Sequence, residues 1–140
     1  MYLYTIGYSG KSEAEFYEIL RTHKVSRIID VRRFKTSKYV PFANGENLSR
    51  KCKDKYVAIP DVAPEKSLLL QWQNGDIAWS YYERTYLEFL QLISAQNFFT
   101  EEILDNACLL CMEASPSQCH RKLLAQYLAN YFPSLKIEHL

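Results

Sequence analysis

The stretch Tyr2-Leu3-Tyr4-Thr5-Ile6-Gly7-Tyr8-Ser9-Gly10-Lys11-Ser12-Glu13-Ala14-Glu15 decides the fold class. Tyr2 to Ile6 has the aromatic and β-branched side chains that suit a pleated strand, and Gly7-Tyr8-Ser9-Gly10 reads as a turn. Ser12 and Glu15 have capping-box spacing, in which Ser12 accepts from the backbone and Glu15 reaches back to it. Phe16, Ile19 and Leu20 then give the helix an apolar stripe. Strand, turn and capped helix make the first half of a crossover unit, and the pattern repeats. Val25 to Val31 reads as a second strand, ending in Asp30-Val31-Arg32-Arg33. A polar region to about residue 54 carries a short helix near Leu48 to Cys52. Lys55 to Ile59 reads as a third strand, stopped by Pro60.

Farther out, residues 60 to 78 read as a long loop, a length that is often functional or conceals a short element. Ser80 and Glu83 repeat the capping-box spacing. Behind them Trp79, Tyr82, Tyr86, Phe89, Leu90 and Ile93 recur at three-and-four intervals, as the core face of a helix. Ala107 to Met112 is a buried strand, followed by a helix from about Ser117 to Tyr131 that turns Leu123, Leu124, Tyr127 and Leu128 inward. Pro133 stops it, and Leu135 to Ile137 forms a last strand. Alternating strands and helices predict a three-layer α/β fold, a small, mainly parallel sheet with helices on both faces, formed by residues 1 to 140 as one domain.

Composition agrees with one globular domain. The 140 residues carry 17 basic and 16 acidic side chains, so bulk electrostatics will not hold nucleic acid. No run reaches the roughly 18 apolar residues of a membrane span. The N-terminus has neither the charged start nor the apolar run of a signal peptide, which leads to the expectation of a cytoplasmic protein. There the four cysteines, Cys52, Cys108, Cys111 and Cys119, are expected to be free thiols. Cys108 and Cys111 have CxxC spacing, but residues three apart on a strand face opposite sides, which makes Cys108 core filling. Gly10-Lys11-Ser12 resembles the end of a phosphate-binding loop. That motif needs a glycine five residues earlier, where this chain has Thr5.

In a parallel sheet, ligands bind beyond the carboxyl ends of the strands where the strand order reverses. This selects Gly7-Tyr8-Ser9, Asp30-Val31-Arg32 and the segment from Cys111 to Arg121. A helix starting near Ser117 places Cys119, His120 and Arg121 at its N-terminus, where free N–H groups and the helix dipole favour an anion. Arg121 adds a donor fork, His120 exchanges a proton near neutral pH, and Glu113 either orients His120 or acts as acid or base. Cys119 is a potential thiolate nucleophile. The alternatives are an ion pair between Glu113 and Arg121 and a packed Cys119. Cys111, Glu113, Cys119 and His120 match a metal site in ligand type. However, successive helical residues diverge by about 100°, so no metal or cofactor is assigned. Asp30 and Arg32 leave one face of the second strand together and either hold each other or flank a ligand. The basic residues of 32 to 38, and Arg50, Lys51, Lys53 and Lys55, form local clusters suited to a modest single-strand nucleic-acid surface.

Thr5-Ile6-Gly7-Tyr8-Ser9, Asp30-Val31-Arg32 with Ser37 five residues on, and Leu110-Cys111-Met112-Glu113 through Cys119-His120-Arg121 together resemble domain-of-unknown-function family 488. Trp79, Tyr82 and Tyr86 are similar to its aromatic helix, and Ile137 to Leu140 to its ending. The resemblance runs essentially the full length. It implies a compact α/β domain and no agreed activity. Lys35 stands where the family usually has proline, and Ile59-Pro60-Asp61-Val62-Ala63 replaces a usual Leu-Gly-Gly turn.

Two functions from different classes follow. One is an enzyme acting on an anionic substrate such as a nucleotide, modified base or nucleic-acid end. In it Glu113, His120, Asp30 and Cys119 are the catalytic set, and Tyr8, Ser9, Arg32, Ser37 and Arg121 bind. Arg32 and Arg121 grip the anion, and Asp30 orients or activates water. The other is a non-catalytic nucleotide- or nucleic-acid-binding module using the same charges.

Overall fold

The computed structural model describes residues 1–140. Five strands, β1 (Tyr2–Gly7), β2 (Arg27–Asp30), β3 (Tyr56–Ala58), β4 (Ala107–Cys111) and β5 (Lys136–His139), form one sheet in the order β3-β2-β4-β1-β5. Every pairing is parallel. Six helices join them: α1 (Glu13–Thr22), α2 (Gly45–Cys52), α3 (Lys66–Gln73), α4 (Trp79–Leu92), α5 (Glu101–Leu104) and α6 (His120–Tyr131). No helix is long and apolar enough to cross a membrane.

Strand alternation sorts the core into two halves, one on each side of the sheet. Ile28, Cys108, Leu110, Tyr4 and Ile6 pack with Phe16 and Leu20 of α1 and Leu48 of α2. Ile29, Ala107, Leu109 and Leu3 pack with Leu68 of α3, with Tyr82, Tyr86 and Leu90 of α4, and with Leu123, Leu124 and Leu128 of α6. The three-layer α/β architecture is therefore the one the alternation of elements predicts. Cys108 is fully buried in the first half-core, on the side of β4 opposite Cys111.

The capping box at Ser12 and Glu15 forms reciprocally at 3.1 Å in each direction. The second one does not form, because α4 starts two residues earlier than that box requires and has Ala78 at its N-cap. The segment 60 to 78 contains a turn of 3-10 helix, Pro60–Val62, and α3. Two short helical pieces, Ala95–Phe98 and α5, precede β4 and have no periodic signal long enough to read. The second strand is shorter than Val25 to Val31, and the last helix begins at His120 rather than near Ser117. The later helix start bears on the chemistry.

Candidate active site

Beyond the carboxyl ends of β1, β2 and β4, which are adjacent in the sheet, lies a cavity of about 220 Å³. Tyr8 follows β1, Arg32 and Arg33 follow β2, and Cys111, Met112 and Glu113 come from the end of β4; Cys119 and His120 come from the start of α6. Tyr82 of α4 and Trp72 of α3 add aromatic walls. Backbone bonds from Tyr8 to Cys111 and from Ser9 to Met112, 3.2 and 3.0 Å, lock the turn after β1 against the segment leaving β4. Gly7 makes this crossing possible, since a Cβ there would overlap the Glu113 carbonyl and the Arg121 guanidinium.

The side chains at the cavity floor converge on Cys111. Cys119 Sγ donates to Cys111 Sγ at 3.0 Å, and His120 Nδ1 lies 3.5 Å from the same sulfur. His120 Nε2 is 2.8 Å from the Val31 carbonyl, which only accepts, so Nε2 carries a hydrogen and Nδ1 is left to share a proton with Cys111. The hydrogen bond from Cys119 lowers the pKa of Cys111 against the effect of burial, helped by the nearby backbone N–H groups and the Arg121 charge. Cys119 moves the opposite way, because donating to Cys111 and being buried both favour its thiol. The expected nucleophile, Cys119, is thus the poorer thiolate, and its neighbour at the strand end is the better one.

A helix beginning at His120 accounts for this. Cys119 is the N-cap, with extended backbone at φ −138° and ψ 140°, and lies outside the helical spiral. The divergence expected of successive helical residues does not apply, and donor atoms of Cys111, Cys119 and His120 all lie within 4.8 Å of one another. These three residues are the ones that could hold a soft cation. Two thiolates each about 2.3 Å from one tetrahedral metal would stand nearly 4 Å apart, farther than the 3.0 Å seen here. The geometry fits a thiol donating to a thiolate better than a metal pair.

The two arginines are anchored on opposite sides of the sheet. Arg32 grips Asp30 through Nε and Nη2 at 2.8 and 2.7 Å and also donates to the Ala43 carbonyl. Tyr56 adds a 2.5 Å bond to Asp30. Asp30 is fully buried and fully occupied by these partners, so it holds Arg32 in place rather than activating water. Arg32 stacks over Tyr8 at 5.3 Å and keeps one buried donor, Nη1, without a partner. Arg121 is fully buried against the Thr5 hydroxyl and the backbone carbonyls of Glu113 and Ala114. It therefore cannot join Arg32 around one anion, and it meets Glu113 by the backbone rather than as an ion pair. Asp30 is in register with Leu110 on one face, and Thr5 with Leu109 on the other, which separates the two arginines.

Of the expected residues, Tyr8, Arg32, Glu113, Cys119 and His120 meet at the cavity. Ser9 and Ser37 do not line it. Ser37 Oγ instead accepts from the backbone of Tyr39 and Val40 in its own turn. Missing from the expected set are Tyr82, Trp72 and Arg33, and Cys111 was placed beside the pocket without a catalytic role. The signal for Cys111 was its place as the last residue of an apolar strand, a carboxyl end where such sheets bind ligands.

The family model for domain of unknown function DUF488 matches residues 12–128. The chain belongs to the DUF488 family. No curated protein and no solved structure matches it. In this DUF488 domain the matched span includes Asp30, Arg32 and the whole Cys111–Cys119–His120 group, and it begins after Tyr8 and Ser9.

Proposed function

We propose that this domain is an enzyme in which Cys111 is the nucleophile, His120 moves the proton and a small acceptor-bearing substrate enters between Tyr8, Trp72 and Tyr82. The observation that carries this reading is the convergence of Cys119 Sγ and His120 Nδ1 on one sulfur. Two groups that stabilise a thiolate on a single side chain are how a cysteine is activated for covalent catalysis. The unpartnered Arg32 Nη1 favours a substrate carrying an anionic or carbonyl oxygen, as in the anionic class expected from sequence. Glu113, half-exposed at the cavity wall, is placed for a second proton transfer.

The test is the pH dependence of iodoacetamide alkylation, with each modified cysteine located by mass spectrometry. Cys111 alkylates with a midpoint below the ordinary thiol value of 9.0, and His120→Gln and Cys119→Ala each raise that midpoint. A Cys111 midpoint at or above 9.0, or faster labelling of Cys119, overturns the assignment.

A second reading, a nucleotide- or nucleic-acid-binding module, draws on a different place. Arg21, Lys24, Arg27, Lys51, Lys53 and Lys55 surround a cavity of about 470 Å³ near the start of β2, with Asp54 the one acid among them. Arg27 Nε is buried there without a partner. A single-stranded oligonucleotide binding here loses affinity with salt at a logarithmic slope of about −0.7 per phosphate contacted. A flat salt response removes this reading.

A further inference from the structure

We infer that Cys119 is the resolving thiol of a two-cysteine redox centre whose substrate is a small two-electron electrophile, a hydroperoxide or a low-molecular-weight disulfide. The inference rests on Cys111 being the nucleophile and goes on to name what it attacks. Both sulfurs are free, and they stand 3.0 Å apart. A disulfide bond needs about 2.05 Å, so closing the pair takes a movement of about 1 Å. Arg121 holds the Glu113 and Ala114 carbonyls, so the movement falls to residues 115–118 and to the two cysteine side chains. Between the end of β4 and the start of α6 the chain is neither strand nor helix, and Met112, Ala114, Ser115, Ser117 and Gln118 are exposed.

Position also selects the chemistry. If Cys111 carried an acyl group, Cys119 would stand ready to pull that group sideways onto a second thiol, which achieves nothing. If Cys111 carries a hydroxyl or a thiol fragment, attack by Cys119 at the Cys111 sulfur releases that group and ends the cycle. Cys111 and Cys119 are only 5% and 3% exposed, so the electrophile must be small enough to enter the cavity, and a disulfide on another folded protein is shut out.

With a hydroperoxide ROOH, the Cys111 thiolate forms an S–O bond as the O–O bond breaks, giving Cys111–SOH and RO⁻, which takes the proton shared with His120 and leaves as ROH. Cys119–SH then attacks the Cys111 sulfur, the S–O bond breaks, and the disulfide and water form. With a disulfide RSSR, the first step gives Cys111–S–SR and RS⁻, protonated in the same way. The second gives the Cys111–Cys119 disulfide and RSH. In both, the two thiols are oxidised by two electrons and the substrate is reduced by two. An external dithiol restores the pair. Cys119 holds its proton while Cys111 is a thiolate. Once Cys111 has reacted, that acceptor is gone and the proton can pass to His120, so the second attack follows the first in order.

The experiment treats the fully reduced chain with one equivalent of hydrogen peroxide or of glutathione disulfide, then maps peptides under acid quench. Wild type loses two hydrogens, found as a Cys111–Cys119 cross-link with at least one of the oxidants, and the faster arm identifies the substrate class. Cys119→Ser stops at a Cys111 adduct bearing one oxygen or one glutathionyl group, and Cys111→Ser stays unmodified at Cys119. Cross-linking through Cys52 or Cys108, or no cross-link with either oxidant in wild type, overturns the inference. If iodoacetamide still selects Cys111 in that case, the nucleophile stands and only the redox role fails. If it does not, both fall.

Discussion

At Gly7 and Asp30 the site depends on single atoms. Gly7 has no side chain because the Glu113 carbonyl occupies the space a Cβ would need, and that carbonyl is backbone, which cannot swing aside. Gly7→Ala is therefore expected to lose about 1–3 kcal/mol of stability, read by urea unfolding, and to slow Cys111 alkylation by shifting the segment that carries it. Unchanged values for both would show that the crossing relaxes freely. Asp30 is the only carboxylate on a buried guanidinium, so Asp30→Asn leaves the Arg32 charge uncompensated. The expected loss is about 3–5 kcal/mol by the same measurement. A loss below about 1 kcal/mol would contradict the burial of the pair. Sequence showed Asp30 and Arg32 side by side and left open whether they held each other. It could not show Tyr56, whose hydroxyl arrives from a neighbouring strand 26 positions away and completes the arrangement.

Elements with a local cause were legible, and those fixed by neighbours were not. The Ser12 box needs only residues 12 to 15 and forms as read. Ser12→Ala is expected to cost about 1 kcal/mol, checked by thermal unfolding with Ala14 as the unperturbed reference position. The same spacing at Ser80 fails because the aromatic face of α4, led by Trp79 stacking on Tyr82 at 5.0 Å, packs well with the helix starting at Trp79. For α6, reading the start near Ser117 rather than His120 placed Cys119 within the helix and hid its contact with the Cys111 sulfur. A shift of a few residues at a helix end is small for a fold and decisive for a site.

Across the whole molecule, the sheet order brings together three strand ends from distant parts of the chain, and alternation gives each face its own core. Several tyrosines are drawn into those cores. Burial raises the pKa of Tyr82 and Tyr86, and burial with the Asp30 contact raises Tyr56, all above the usual 10.0. A raised folded pKa contributes stability that is complete below the unfolded value and lost as pH rises beyond it. Buried Cys108 and Cys119 act in the same direction from about 9.0 upward, and Cys111 opposes them by favouring its charged form. Tyr4, Tyr17 and Tyr127 are raised too, and Lys11, lowered, sides with Cys111, so eight groups against two predict that the urea midpoint falls between about pH 8.5 and about pH 11. A midpoint that rises over this range would contradict the burial of the tyrosines.

Arg121 has a consequence of its own. It is fully buried with only neutral oxygens around it, and its field is felt nearby: Lys11 and His139, lowered first by burial, are lowered further by it. Such a cation inside a protein lacks a counter-ion until something supplies one, and the Cys111 thiolate is within its influence. An ionised Cys111 would be an anion supplied by the protein itself. Protonating, alkylating or oxidising Cys111 removes the anion that this charge favours, so the Arg121 field adds to the Cys119 hydrogen bond and the backbone N–H groups in lowering the cost of ionising that sulfur.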